Sequence, residues 1–477
     1  MSVIAMNTEK PGRDHGEAVR ALAERLAGSA HLPGAPAYGE ACRIWNAMIE
    51  RRPALVVRPR DDGEIAEAIA FARRTGLPLS VRGGGHNVAG AALCDGGVTI
   101  DMSTRRAVAV DPAAMEVRVE AGATWKDVDT ATQQYGLVVP SGIISATGVA
   151  GLTLGAGFGW TSRRFGFTAD NLVTADVVTA DGRSVRASAE EHSDLFWALR
   201  GGGGNFGVVT SFTFRAHRHG PQALCGMVVH PFERADAVMR LYRAITAEAP
   251  DELTCLLILR KAPPAPFIPA ELHGKPIAAI AAHWTGDPAE GAAAMARLKA
   301  FGPPAADTIA PKDFVAFQSF LDGGQPFGRR YYWKSNEAGA MADGLMAVLR
   351  ESAAANPSPH SAILVMHLGG APARTAPDTN AVGIRAAQYG VVVQGAWEEG
   401  AEDDLHIGWV RRAFEATKPF GSGAAYVNFL TEEEAPGRIR AAYGEALYRR
   451  LRAIKTAYDP ENLFRGNLNI PPLAPGE

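Results

Sequence analysis

Several features that would point to a function at once are missing from this chain. Its 477 residues hold only four cysteines, Cys42, Cys94, Cys225 and Cys255, widely separated and without a CxxC pair. Neither a disulfide framework nor a metal finger is expected, and free thiols fit a reducing, cytoplasmic compartment. No run of 18 uncharged apolar residues occurs, which argues against a transmembrane helix and a membrane partner. The opening MSVIAMNTEKPGRDHGE lacks a long apolar core and a small-residue cleavage site, so no signal peptide is expected. With 48 Lys and Arg against 51 Asp and Glu the net charge is −3, and no basic excess recommends a nucleic-acid partner. HExxH, GxSxG and P-loop motifs are missing too. His217 and His219 have metal-ligand spacing, but no carboxylate or cysteine accompanies them, so they read as a solvated turn and no metal is expected.

Glycine, by contrast, is abundant: 52 residues, crowded between 83 and 207. Residues 77–87 begin as a strand-like apolar run, Leu77 to Val81, and break into Gly83-Gly84-Gly85-His86-Asn87. Consecutive glycines let a backbone approach a ligand closely and turn its amides toward a phosphate. On these residues alone His86 is simply a loop histidine. A second cluster, Pro140 to Trp160, has glycines at 142, 148, 151, 155, 157 and 159. Each would cost ~1 kcal/mol inside a regular element. The stretch reads either as backbone wrapped around a flat cofactor or as a bent segment packed on other backbone. A third cluster spells GxGxxG at Gly202, Gly204 and Gly207. The dinucleotide fingerprint needs a strand before it and a helix after it. Here a helical Asp194 to Arg200 precedes and a strand-like Val208 to Arg215 follows, so the cluster is a ligand-contacting loop and not a Rossmann site.

Periodicity supplies the coarse elements. Helices are expected at Glu17–Leu26, Ile44–Ile49 and from Asp61, with Glu64 at capping-box spacing, to Gly76. Strands are expected at Ala54–Val57, Val98–Met102 and, by alternation, Met115–Glu120. Thr124 and Asp127 cap a helix with Trp125, Val128 and Tyr135 on one side. Beyond Gly220, strands near 255–259, 277–283, 363–367 and 389–396 alternate with helices near 289–300, 337–351 and 405–418. That pattern predicts an antiparallel sheet with helices on one face. A last helix runs through residues 450–455 within the segment 443–469.

Six motifs in order then carry a resemblance over nearly the whole chain: RGGGHN at 82–87, SGxxxxTGVAGLTLGxGxGW at 141–160, DNL with ADVVTADG at 170–182, DLFWALRGGGGNFGVV at 194–209, YVNF at 426–429, and YDPxNLFRxNxNI at 458–470. The chain resembles the FAD-linked oxidases of the vanillyl-alcohol-oxidase fold, berberine-bridge-enzyme-like branch. The resemblance implies an α+β fold in which residues 1–218 and 420–477 bind FAD. Residues 219–419 would then form an α+β substrate domain whose antiparallel sheet is covered by helices. It further implies that His86 carries the flavin covalently, with Arg82, Gly83, Gly84, Gly85 and Asn87 around it. In the second cluster Ser141, Gly142, Thr147, Gly148, Val149, Gly151 and Gly157 would touch the cofactor. Gly207, Val209, Asn428 and Asn467 would complete its site.

Ile144 stands where many relatives have a second tethering cysteine, so a single link through His86 is expected. Val149, a small residue at a position beside the flavin in related oxidases, points to O2 as electron acceptor. Tyr426, in the YxN motif, is the expected catalytic residue. A phenol titrates near about 10 in water and needs positive charge or hydrogen bonds to act as a base near neutrality. Tyr332, Lys334 and Trp397 are expected at the substrate, with His367 and Arg385 as similar candidates. In YYWKS, however, Tyr332 and Lys334 share one strand face while Tyr331 and Trp333 share the other. Ile384 replaces a histidine usual in close relatives. The implied activity is oxidation of an alcohol, sugar or secondary-metabolite ring with release of H2O2. A cyclic-amine oxidase or a dehydrogenase with another acceptor is the alternative. Nothing in the sequence sets the oligomeric state.

Overall fold

In the computed structural model, which describes residues 15–431, 433 and 436–477, the chain folds into α+β layers around a shared cavity. The first lobe starts from a small sheet in which Leu55–Val57 and Leu79–Arg82 flank Val98–Asp101, all parallel. Parallel neighbours need a crossover, and the helix Asp62–Thr75 supplies it. It starts where the Asp61 carboxylate accepts the Glu64 N–H and stops at Gly76, φ +71°. Its Ile65, Ala68, Ile69 and Ala72 bury against Val98 and Ile100 of this sheet and Val177 and Val178 of the next. Each buried isoleucine contributes about 1.5–3 kcal/mol. The second sheet is antiparallel, in the order Val108–Asp111, Glu116–Glu120, Val208–Arg215, Leu172–Val178, Ser184–Ala187. The period-two reading of residues 115–120 holds, with Val117 and Val119 buried.

From Gln222 the chain builds an eight-stranded antiparallel sheet. Five of its strands run Pro276–Trp284, Leu253–Lys261, Ala362–His367, Tyr389–Trp397 and Arg330–Ala338, in that order, the last at the edge of the sheet. The helices Ala235–Glu248, Asp343–Ala354 and Asp403–Thr417 cover one face. The other face turns toward the glycine-rich segments of the first lobe. After residue 420 the chain returns, and Tyr443, Leu451, Ile454, Phe464 and Ile470 join the core of the first lobe.

Some sequence expectations are corrected. Residues 44–49 are not helical. Asn46 is tied to distant backbone, its amide donating to Val88 O and Tyr331 O, and these bonds replace a local helix. The helix expected over 337–351 begins only at Asp343, because residues 330–338 pair one-for-one with 389–397. Tyr135 lies past the end of the helix Trp125–Thr132 and is 48% exposed. The last helix, Glu445–Tyr458, does run through residues 450–455 as expected. No helix among the described residues is long and apolar enough to cross a membrane.

The three glycine clusters touch each other through backbone. A Cβ on Gly84 would stand 2.6 Å from Gly148 Cα, and one on Gly148 would stand 2.5 Å from Gly84 N. The Gly201 and Gly203 amides both donate to Leu154 O, at the end of the short helix Val149–Leu154. Gly84→Ala is therefore expected to destabilise the fold by about 1–3 kcal/mol, as overpacking does. Gly204→Ala, with nothing within 4 Å of its Cβ position, should leave the melting temperature within a degree or two. Thermal melts of the two variants side by side check this.

Candidate functional site

A cavity of about 250 Å³ lies where the glycine clusters meet the inner face of the large sheet. Its floor is backbone from residues 83–85, 147–148, 203–204 and 466, with the side of the short helix at Ala150 and Gly151. Two floor positions, Gly151 and Gly204, have open space within 4 Å of a would-be Cβ, so a side chain there would project into the cavity. Gly202 and Gly207 have another task. Their missing side chains make room for Ala198 O, Leu451 and Phe206, and for Val177 and Val178 O. The clusters thus serve both alternatives open in the sequence, cofactor cradle and backbone packing, at different glycines.

His86 stands at the edge of the floor. Its ring stacks on Trp45 at 4.4 Å, and Trp45 stacks in turn on Tyr331 at 3.6 Å. The Trp45 backbone N–H donates to Gly85 O at 2.9 Å, and its indole N–H donates to Gln325 O at 2.9 Å. The His86 Nε2 is buried and has no hydrogen-bond partner. Burial holds its imidazole down to about 4, so the ring is neutral near pH 7. A neutral imidazole with a free nitrogen is a competent nucleophile.

Across the cavity Tyr426 is buried, and its hydroxyl accepts from Asn428 Nδ2 at 2.9 Å and Gly157 N at 3.2 Å. Burial pushes the phenol up to about 12 against these two donors, and the Glu337 carboxyl adds to the rise. Glu337 accepts the Tyr426 N–H at 2.9 Å, and burial raises its own pKa to about 7.

Among the residues expected from sequence, Gly83, Gly84, Gly85, His86, Asn87, Gly142, Thr147, Gly148, Gly151, Gly207, Val209, Tyr426, Asn428 and Asn467 line this cavity. Several others do not. The Arg82 guanidinium turns away to Ala41 O and lies 3.7 Å from Asp101. The Ser141 hydroxyl faces the Gln318 amide, and Gly157 sits behind Tyr426 as a hydrogen-bond donor. Val149 is fully buried in the core of the first lobe; Gly148 and Ala150 line the cavity instead.

On the large sheet Tyr332, Lys334 and Trp397 belong to the face away from the cavity. Tyr332 meets Glu433, Lys334 donates to Thr431 and the Trp397 indole donates to Asp403. Strand alternation puts Trp333 on the cavity side. His367 is buried beside Tyr389, and Arg385 pairs with Asp170. The histidines at 217 and 219 are no solvated turn. His217 stacks on Phe165, and His219 Nε2 lies 3.2 Å from the Nε2 of buried His283. No cluster of three or more metal-ligating side chains occurs among the described residues.

Residues that sequence reasoning missed are Trp45 under His86, Gln394, and the apolar Leu364, Met366, Val392 and Phe429. Alternation within the strands 362–367 and 389–397 was the available signal, but it does not reveal which face meets the cavity.

An open glycine floor, an unpartnered buried imidazole nitrogen and a facing phenol fit a flat cofactor with a phosphate-bearing tail. Comparison with known proteins agrees. A family model described as "FAD binding domain" matches residues 53–188, and one described as "Berberine and berberine like" matches residues 425–471. The (R)-6-hydroxynicotine oxidase of Paenarthrobacter nicotinovorans is 28% identical over 464 residues, 94% of this chain and 97% of that protein. A crystal structure of 6-hydroxy-D-nicotine oxidase from Arthrobacter nicotinovorans superposes with a TM-score of 0.83 at 25% identity, covering 93% of this chain and 98% of that one. Berberine-bridge-enzyme-like protein 1 of Physcomitrella patens has a TM-score of 0.85 at 21% identity, covering 96% and 99%.

The facing pair His219 and His283 generates a pH prediction. Burial lowers His219 to about 4, and it lowers His283 well below 6.5 with the neighbouring His219 adding to the effect. Between about pH 6.5 and 4 the unfolded chain therefore binds more protons than the folded one, so stability is lost as pH falls through this window. Urea midpoints should drop between pH 7 and 5, and the drop should be shallower in His219→Gln.

Proposed function

Since the chain belongs to the berberine-bridge-enzyme-like FAD-linked oxidoreductases, we propose that it is an oxidase with one covalent tether. In this reading His86 carries FAD, and the substrate is an alcohol, sugar or secondary-metabolite ring. The observation that carries the reading is the neutral, unpartnered His86 Nε2 in the same cavity as the doubly hydrogen-bonded Tyr426 hydroxyl. When bound, FAD would supply a two-electron hydride acceptor reoxidisable by O2, so that a carbinol would become a carbonyl with O2 reduced to H2O2.

The chain's own residues divide the remaining work. The glycine floor leaves room for the cofactor, and Asn467 and Thr147 offer polar side chains along its length. Ile144 lines the cavity where a second tethering cysteine would stand, and none of the four free cysteines lines it. One link therefore suffices in this reading. Tyr426, protonated near neutrality, holds the substrate oxygen by a hydrogen bond; as the phenolate, which the Asn428 amide and Gly157 N–H stabilise, it takes the hydroxyl proton as hydride departs. Val149, packed in the core, no longer bears on the choice of acceptor; support for O2 comes from relatives named oxidases. Free thiols support a cytoplasmic setting. A second reading, oxidation of a cyclic amine, is supported by the relative named for 6-hydroxynicotine.

Purified protein should be yellow and keep its colour in an acid precipitate. His86→Ala should release the colour to the supernatant; release from the wild type would refute the covalent link. Tyr426→Phe should retain flavin but lose about 10²-fold or more in kcat, measured as peroxide release over alcohol, sugar and amine panels.

A further inference from the structure

The roof of the cavity is the inner face of the large sheet, where Trp333, Leu364, Met366, Val392 and Gln394 face inward. Register explains the grouping: Trp333 lies opposite Gln394, and Leu364 lies opposite Val392, on three adjacent strands. Side chains directly opposite in a sheet share a face. The roof is thus apolar with one amide set into it. Phe158 and Phe429 extend the apolar surface beside Tyr426.

Charge is missing from this space. None of the described residues lining the cavity is Asp, Glu, Lys or Arg, and the only titratable side chains there are His86 and Tyr426. A ligand cation or anion would shed its hydration without gaining a counter-ion, which is costly in an apolar site. An oligosaccharide fares little better. It carries hydroxyls all around its rings, and each one left unpaired costs about 1–3 kcal/mol. Against this roof most of them would be unpaired. Gln394 is the exception. It is 1% exposed as a residue, yet its amide makes no side-chain hydrogen bond among the described residues and faces the cavity. The Trp333 indole N–H is likewise buried and unpartnered.

We propose that the substrate is a neutral, flat, largely apolar ring compound. Its few polar groups are bound by the Gln394 amide at one end and the Tyr426 hydroxyl at the other. This excludes oligosaccharides and organic cations as preferred substrates and makes Gln394 the specificity-determining polar residue. The inference rests on the oxidase reading for the place of the flavin under this roof, but binding order can be measured without turnover.

The test titrates three probes into oxidised, anaerobic holoprotein and follows the perturbation of the flavin spectrum. The probes are 1-naphthalenemethanol, cellobiose and N-methylbenzylamine, the last a cation at pH 7. The naphthyl alcohol should bind at least tenfold more tightly than either of the others, and Gln394→Leu should weaken it about fivefold or more. Val392→Glu, which sets a carboxylate into the roof, should shift the preference toward N-methylbenzylamine. Equal or tighter binding of cellobiose or the amine to the wild type overturns the proposal, as does failure of all three to bind. Failure of the reduced flavin to yield peroxide with O2 overturns the oxidase reading instead, whatever the binding order.

Discussion

The site depends on backbone touching backbone. Gly84 and Gly148 meet with no room for a methyl group on either, and Leu154 O holds the amides of both Gly201 and Gly203. Three loops, drawn from positions up to about 120 residues apart, thereby share one continuous floor made of peptide groups. A side chain at the contact would separate the loops, and His86 would no longer stand beside the short helix and its open Gly151. Glycine is required here because two chains must come closer than any Cβ allows. Positive φ plays no part at Gly84 or Gly148, neither of which has it.

Buried charges fix the periphery of that floor while leaving its centre neutral. The Lys455 ammonium is fully buried and spends its three donors on Asn205 O, Phe464 O and Asp459 Oδ2 at 2.6–2.8 Å. It joins the third glycine loop to the C-terminal segment that brings Asn467 to the cavity. Such a pair, weighed against its desolvation, adds little net stability. Its effect is geometric, because an unpaired partner would be intolerable at that depth. Arg385 does the same on the other side, clamping Asp170 and Asn380 and so linking the connection between the strands Ala362–His367 and Tyr389–Trp397 to the DNL motif. Neither clamp lines the cavity, which keeps their charge out of it.

Much of this was legible in the sequence. The helix from Asp61 to Gly76 was marked by its cap, its period and its terminal glycine, all local signals. The glycine clusters and Tyr426 were legible as motifs, and most of their residues line one cavity. What failed was whatever depends on partners far along the chain. Residues 44–49 have helical spacing, but Asn46 answers to Val88 and Tyr331 instead. Tyr332, Lys334 and Trp397 were chosen for their chemistry, yet a strand's alternation cannot say which side is roof until a neighbouring layer is known. The histidines at 217 and 219 looked solvated because Phe165 and His283, which bury them, come from elsewhere. Val149 was placed beside the cofactor by its neighbours in the motif, but a helix turns each successive side chain by 100 degrees, and this one points into the core.

The uncharged cavity also constrains what Tyr426 can do. A phenol lowered toward neutrality by a nearby cation would be a standing base, able to strip a proton before hydride moves. Here no lysine or arginine among the described residues reaches the cavity, burial dominates, and the phenol stays protonated at about 12. The two donors on its oxygen stabilise the phenolate against that burial. Near neutrality the protonated phenol is a hydrogen-bond donor to a substrate oxygen, and only its phenolate can take a proton from one. The same lack of charge that argues for an apolar ring as ligand thus also leaves the Tyr426 phenol protonated, beneath a roof built of Leu364, Met366, Val392 and Trp333 around a single amide.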